Sequence, residues 1–473
     1  MKRLVVATII MSVVCVCYPV VAAADGDDGG RTLSLTEFIR LASEKDTSFE
    51  EILIDELALQ YEKALQLPAK DLVIEVKSQY VTVLEEDEEA PENTVSLSKL
   101  FPLQGTDITA EYNSSIKSST YDITSDYSII VSQPIAENAF GRANRLLDKI
   151  VGIETDIARH QIIEAYEDYL ATLIQRYFDW YSAFENVKTA ENSYRENVKL
   201  LENIKEREKK SVALPIDVNK IQLQVLAKEE NLVALRTTYA RSLTLIKEAI
   251  RYEGDEAFIP EQPVLYEDRT IDFAGEYRRF TDASRTYKAL TMLEEKSSLK
   301  VDKAADALLP SIDLFAGFSV DGTGHDVVPT DKQAFAGVSL EWPLPSQVER
   351  AEYETAKIAR DKTALGTEGT YARLHTSLSN LYDQIERERR LIELSDQKIK
   401  LAQSIVEDET ENYSFGKVTL NDLIDEVNKL EDNKFNKISH EVQLKKLIVE
   451  WLRLTDTLVA QNRVEDIRAE GVF

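Results

Sequence analysis

A chain of 473 residues is long enough for two or three ordinary domains or for one elongated protomer. Its 56 Lys and Arg stand against 84 Asp and Glu, a formal net charge of −28. Such an acidic balance repels phosphates, so nucleic acid is excluded as a partner. It suits an elongated body kept in solution, or a conduit that favours cations.

The chain opens with Lys2 and Arg3, an apolar run from Leu4 to about Val21, and Ala22-Ala23-Ala24. A basic start, an apolar core and a small-residue cleavage site make residues 1–24 a secretory signal peptide. Its removal takes away two cations and no acids, leaving 54 − 84 = −30. Both cysteines, Cys15 and Cys17, go with it, so the exported chain uses no disulfide or thiol chemistry. No later apolar run is long enough for a membrane helix. Any membrane insertion must therefore use β-strands.

Residues 34–66 read as helical, with Ser34 as N-cap and Glu37 three positions on. From Leu67-Pro68 the texture becomes alternating and rich in Val, Ile, Thr and Tyr, as in "DLVIEVKSQYVTV", "TVSLSKLF", "TDITAEYNSSI" and "DYSIIVSQP". These are strands within 67–134. Tyr112, Tyr121 and Tyr127 are candidates for an interfacial aromatic girdle. A long helical hairpin follows over 141–251, interrupted at Pro215, and "GDEAFIPEQPVLYED" reads as a linker. Helix is expected again at 271–307 and strands at 309–344. A second long hairpin covers 347–459, broken near Gly416.

This order repeats. A shift of 205 positions sets Leu173, Trp180, Val187, Tyr194 and Leu201 on Leu378, Ile385, Ile392, Ile399 and Val406, and Asp217 on Asp422. The chain therefore divides into the signal peptide, a first structural repeat (25–254) and a second (255–473). The first strand block is longer, by roughly a hairpin. The aligned apolar positions recur every seven residues, which implies a left-handed supercoil. The companion seam is weaker, with Glu388, Ser395 and Glu409 in it. Narrow stripes suit helices that touch neighbours along thin seams while another face stays wet, as in the wall of a wide tube. An ordinary antiparallel coiled-coil hairpin has the same periodicity. Each long helix is expected to span about 50 residues, or about 75 Å. Two paired strands per half give about four per chain. A membrane barrel needs at least about eight, so closure demands several chains.

With its "LP" strand openings, its "SQPI" (132–135) and "EWPL" (341–344) closings and its Gly-x-x-x-x-x-Asp interruption, the sequence resembles the TolC-like outer-membrane efflux family, the outer membrane factors. The resemblance covers nearly all of the chain after the signal peptide. It implies a mainly α fold with β: a homotrimer in which each protomer gives four strands to one shared outer-membrane β-barrel. Long α-helices continue that barrel as a periplasmic one. The function implied is a passive exit duct, in the bacterial cell outer membrane, for efflux or type I secretion. Its partners would be outer-membrane lipid, a periplasmic adaptor (membrane fusion protein) and an inner-membrane transporter. Residues carried over are Tyr413, at a gating tyrosine, Asp422 and Asp425, at an aspartate ring around the periplasmic entrance, and Asp217, at the matching turn of the first half. Three positions depart from the pattern. Val418 holds the place of the gating arginine, with Lys417 beside it. Ser211 replaces the first-half Gly, and Asp456 stands where many members have Gly. The rival reading is a periplasmic coiled-coil scaffold or adaptor that never inserts.

Asp422 and Asp217 also fit a plainer role as first-turn acids that favour the helix dipole. Asp425 fits that role less well. His160, His325, His375 and His440 form no ligand motif, and no phosphate loop or catalytic triad is evident, so neither cofactor, metal nor enzymatic activity is expected. The acidic run 84–93 reads as a solvated loop. Terminal Phe473 follows a charged helix rather than a strand.

Overall fold

The computed structural model describes residues 30–459 except 46, 84–87, 118–121, 255, 264–270 and 325–327. The signal peptide, Tyr121, His325, Phe473 and part of the 84–93 run lie outside the described residues.

The long helices determine the shape. Helices α3 (Arg142–Lys209) and α7 (Gln347–Ser414) have 68 residues each, about 100 Å rather than the expected 75 Å. Their partners α4 (Pro215–Ala249) and α8 (Leu420–Leu454) have 35 each. Both pairs are related by the 205-residue shift at every boundary. So are the left-handed residues that end elements: Gly141 (φ 76°) with Ser346 (φ 59°), Ser211 (φ 60°) with Gly416 (φ 71°), and Arg251 (φ 47°) with Asp456 (φ 55°). The same backbone solution thus serves both halves whether or not glycine occupies it.

The heptad seam is buried at Leu173, Trp180, Leu378 and Ile385. In the companion seam Glu388 and Ser395 are buried and Glu409 is half-buried, and Glu388 pairs with His440 Nδ1 at 2.7 Å and with Arg387 at 2.9 Å. Helices α1 (Leu35–Lys45) and α2 (Thr47–Gln66) precede the strands. The Ser34 hydroxyl accepts from the Glu37 amide, so the expected cap forms. The helix expected at 271–307 is two helices, α5 (Phe273–Ala283) and α6 (Arg285–Asp306), separated by Ser284, whose hydroxyl caps α6 by accepting from the Tyr287 amide.

One segment of the linker is a strand. β1 (Arg31–Leu33) pairs in parallel with β6 (Phe258–Pro260), and Leu33 and Phe258 are buried. The Tyr177 hydroxyl, deep in α3, lies 2.8 Å from the Leu33 carbonyl and 2.7 Å from that of Glu261. This belt holds the main core, with Phe38, Tyr177, Trp180 and Trp451. A smaller core of Leu201, Ile204, Ile221, Val225 and Leu420 sits near the far ends of the hairpins.

The remaining strands form one antiparallel meander: β2 (Leu72–Val83), β3 (Glu88–Phe101), β4 (Thr106–Lys117), β5 (Asp122–Pro134), β7 (Ser311–Thr323) and β8 (Val328–Glu341). Among the described residues this sheet therefore has six strands rather than the expected four. The additional hairpin is wholly in the first block. Register separates the two faces. One level runs Ile74, Leu97, Ala110, Ile129, Phe318, Ala334; the next runs Val76, Val95, Tyr112, Tyr127, Val320, Lys332. The Tyr112 and Tyr127 rings meet at 4.7 Å on this apolar face. The opposite face is polar, with Lys77, Thr94, Asn113, Asp126, Asp321 and Asp331 at one level. Among the described residues no helix is long and apolar enough to cross a membrane.

Candidate functional site

Each long hairpin turns over at its tip in the same way. The Val212 amide donates to the Arg207 carbonyl at 2.8 Å, and its repeat partner Lys417 donates to Asn412 at 3.0 Å. Ser211 and Gly416 take the left-handed position that this closure demands. Gly is free of strain there, and Ser carries a modest cost.

Asp217 and Asp422 then occupy the same place, three residues into the next helix. Asp217 Oδ2 accepts from the Leu214 amide at 3.2 Å. Asp422 Oδ2 accepts from the Thr419 amide at 2.9 Å and from its hydroxyl at 2.7 Å, while the Asp422 amide donates to Thr419 Oγ1 at 3.4 Å. Thr419 and Asp422 are a reciprocal capping box. Hydrogen bonds from the Thr419 side chain, then from its amide, hold the Asp422 carboxyl below the usual carboxylate range. The plainer role of these two acids is therefore real. It does not extend to Asp425, which is exposed, three residues on along the same face, and caps nothing among the described contacts.

Tyr413 is half-buried at the end of α7 against the tip core. Arg207 of the other hairpin covers it, guanidinium carbon 4.8 Å from the ring centre. Arg207 Nη2 also donates to the Tyr413 and Ser414 carbonyls at 3.4 and 3.3 Å. Burial raises the Tyr413 hydroxyl above its ordinary pKa; Arg207 lowers it and Asp217 raises it. Tyr413 and Arg207 therefore form one contact across the two hairpins, with the Asp217 charge near enough to act on the Tyr413 hydroxyl. Lys417 lies apart, its ammonium over the Phe415 ring at 5.4 Å.

Arg207 is the residue that sequence reading missed. The repeat maps it onto Asn412, so no twin marks it. The signal present was the basic end of α3, Lys205 to Lys210, one turn from the Ser211 break.

A second polar cluster lies at the other end of the hairpins. Glu164, Glu167 and Asp456 bring carboxylate oxygens within 4.8 Å of one another. Arg285 already occupies that space, 3.0 Å from Glu164 and 2.7 Å from Glu167. Asp456 accepts from the Thr286 amide and hydroxyl at 3.0 and 3.2 Å, fastening the start of α6. The residue that departs from the family's Gly is thus a structural tie. Among the histidines, His440 pairs with Glu388, and His375 packs edge-on to Tyr277 at 4.9 Å.

The architecture matches solved structures over 89–92% of the chain. It superimposes on the outer membrane protein VceC of Vibrio cholerae with a TM-score of 0.67 and 13% identity, over 89% of this chain and 95% of that one. The outer-membrane channel OprN gives 0.67 and 14% over 92% and 97%. The Campylobacter jejuni CmeC outer membrane channel gives 0.65 and 12% over 92% and 89%. This is the fold of the TolC-like outer-membrane channels. No protein-family model matches the sequence, and no curated protein does.

Proposed function

We propose that this protein is a passive outer-membrane exit duct for efflux or type I secretion, formed by three copies of the chain. On this reading residues 1–24 direct export, and the repeats 25–254 and 255–473 together make one protomer. The sheets close a shared barrel in outer-membrane lipid. The hairpins close a tube across the periplasm and engage a periplasmic adaptor and an inner-membrane transporter. Asp422, Asp425, Asp217, Tyr413 and Lys417 lie at the periplasmic entrance.

The observation that carries the proposal is the two-faced sheet. On one face an apolar level runs uninterrupted across all six strands and the next across five, until Lys332 closes it in β8, while the other face is polar, in keeping with a lipid-facing and lumen-facing alternation. A scaffold that never inserts has no use for such a face. Exposed apolar side chains on the long helices, Leu223, Leu226 and Val233 on α4 and Leu401 and Ile405 on α7, supply contact surface for neighbouring protomers. The likeness to VceC, OprN and CmeC supports the same reading.

The test is reconstitution. The protein extracted from outer membranes should be a trimer in detergent and should open discrete conductance steps in a planar bilayer. A monomer released by salt wash, with no conductance, overturns the proposal.

A further inference from the structure

The extra hairpin β2–β3 changes what three copies can build. It is part of the sheet: β3 pairs with β4 over ten consecutive positions, Glu92↔Ser115 to Phe101↔Thr106. The apolar face passes through it without a break, from Ile74 and Leu97 to Ala110 and from Val76 and Val95 to Tyr112. Its connection to β4 is also built into the base of the sheet. Asn144 Nδ2 and Arg145 Nη1, at the start of α3, donate to the Pro102 and Leu103 carbonyls at 3.0 and 2.8 Å. Gly105 and Gly141 meet there so closely that a Cβ on Gly105 would stand 2.7 Å from the Gly141 nitrogen, and one on Gly141 would stand 2.5 Å from the Leu103 carbonyl oxygen. The turn is seated where each connection between sheet and helix must pass.

The free edges of the sheet are consequently β2 and β8. Six antiparallel strands run alternately up and down, so β8 of one copy meets β2 of the next antiparallel, and the meander continues across the seam. The edges match in length, 12 and 14 residues. They match in face at one level, which Ile74 ends on one side and Ala334 on the other, while Val76 and Lys332 end the next. They also match in charge: the polar level of Lys77 begins with a cation at the β2 edge and ends with Asp331 at the β8 edge. An edge with unpaired backbone groups cannot stand in lipid, and six strands are too few to close alone.

We infer that the occupant of each edge is a second copy of this chain, joined β8 to β2, and that the trimer closes a barrel of eighteen strands. This rests on the channel reading above. Barrel width grows roughly in proportion to strand number, so this barrel is about half as wide again as one built from four strands per copy, and lies in the range that leaves an aqueous lumen. β2 and β3 are then wall and not a plug or loop. Their polar side, with Glu75, Lys77 and Glu92, lines the lumen.

The exported chain has no cysteine, so introduced pairs report without background. Val76→Cys in β2 is combined in turn with Lys332→Cys, Ala334→Cys and Ala336→Cys in β8, and outer membranes are oxidised. Facing Cβ atoms across an antiparallel seam come within disulfide range. A reducible ladder ending at the trimer is expected for at least one pair. The control places Ala110→Cys in β4 against the same β8 series, and no ladder is expected because β4 is interior. A ladder from β4 and none from β2 means a twelve-stranded barrel that excludes the hairpin; it overturns this inference and leaves the channel reading intact. A trimer with no ladder in either series also overturns it. A monomer sinks the channel reading itself. Strand counting by electron cryo-microscopy of the trimer gives the same decision, eighteen against twelve.

Discussion

Arg207 and Tyr413 tie the two hairpins of one chain together at their tips, the guanidinium lying over the ring at 4.8 Å while Nη2 reaches the carbonyls of Tyr413 and Ser414. On the proposed channel reading, the contact puts a cation at the entrance, where Val418 stands in place of the arginine that the resemblance implies. It comes from the first hairpin rather than the second. A partly desolvated cation–π contact contributes about 1–2 kcal/mol. Arg207→Ala should therefore loosen the pairing of the tips. In planar bilayers the expected result is a resting conductance several-fold above wild type, with Arg207→Lys intermediate. Unchanged conductance in Arg207→Ala would mean that the tips are closed by other contacts.

The acids at the hairpin tip, proposed to ring the entrance, separate by experiment because the structure assigns them different local work. Asp422 completes a capping box with Thr419, so Asp422→Ala should lower thermal stability by about 0.5–2 kcal/mol as well as altering the pore. Asp425 is exposed and holds no cap. Asp425→Asn should leave the melting temperature unchanged while reducing cation preference and weakening block by multivalent cations. Ion selectivity that stays at the wild-type value in Asp425→Asn would remove that residue from the conduit.

The halves of the hairpin plan were legible because duplication doubles every signal. Leu173 and Leu378 or Asp217 and Asp422 are individually weak, but a constant offset of 205 is not. The strand blocks were legible by alternation, and their apolar and polar faces follow once the register is known. The six-strand count was harder to read, since "LEEDEEAPEN" looks like a solvated loop while Glu92 and Asn93 in fact sit in β3, opposite Gln79 and Ser78. Strand β6 was hidden by the prolines around it; burial of Phe258 against the belt overrides the local texture. Contacts such as Arg207 with Tyr413 join positions 206 apart, and no local pattern carries them.

The cluster at the belt gives the protein a pH dependence of definite sign. Burial, then Asp456 and Glu167, push Glu164 up to about 7 from an ordinary 4.5, against the pull of Arg285. Glu167 moves in the same direction, chiefly by burial. Between pH 4.5 and 7 the folded chain holds a proton on Glu164 that the unfolded chain has released. Stability from this group is therefore fully present at the acid end and falls as pH rises through that window. His160 acts oppositely, its pKa lowered by burial and by Arg285. The difference between wild type and Glu164→Gln isolates the carboxyl. Across pH 4.5–7 the melting temperature of Glu164→Gln should gain on wild type as pH rises. Parallel curves would contradict the assignment.

A buried ion pair links the hairpins midway along α4 and α8. Lys228 pairs with Glu431, whose Oε2 also accepts from the Ser193 hydroxyl at 2.6 Å, so the group joins α3, α4 and α8. Both side chains are largely shielded, at 15% and 6% exposure. Removing one partner strands the other charge out of water, at a cost of about 3–5 kcal/mol, while removing both costs far less. Lys228→Met should lower the unfolding temperature in detergent substantially, and adding Glu431→Leu should restore most of the loss. The Gln224–Asn428 hydrogen bond at 2.6 Å, one turn closer to the tip, joins the same helices with neutral groups, and Gln224→Ala should cost only about 1 kcal/mol. If Lys228→Met is no worse than Gln224→Ala, the pair is effectively solvated, and the seam between hairpins is wetter than its burial indicates.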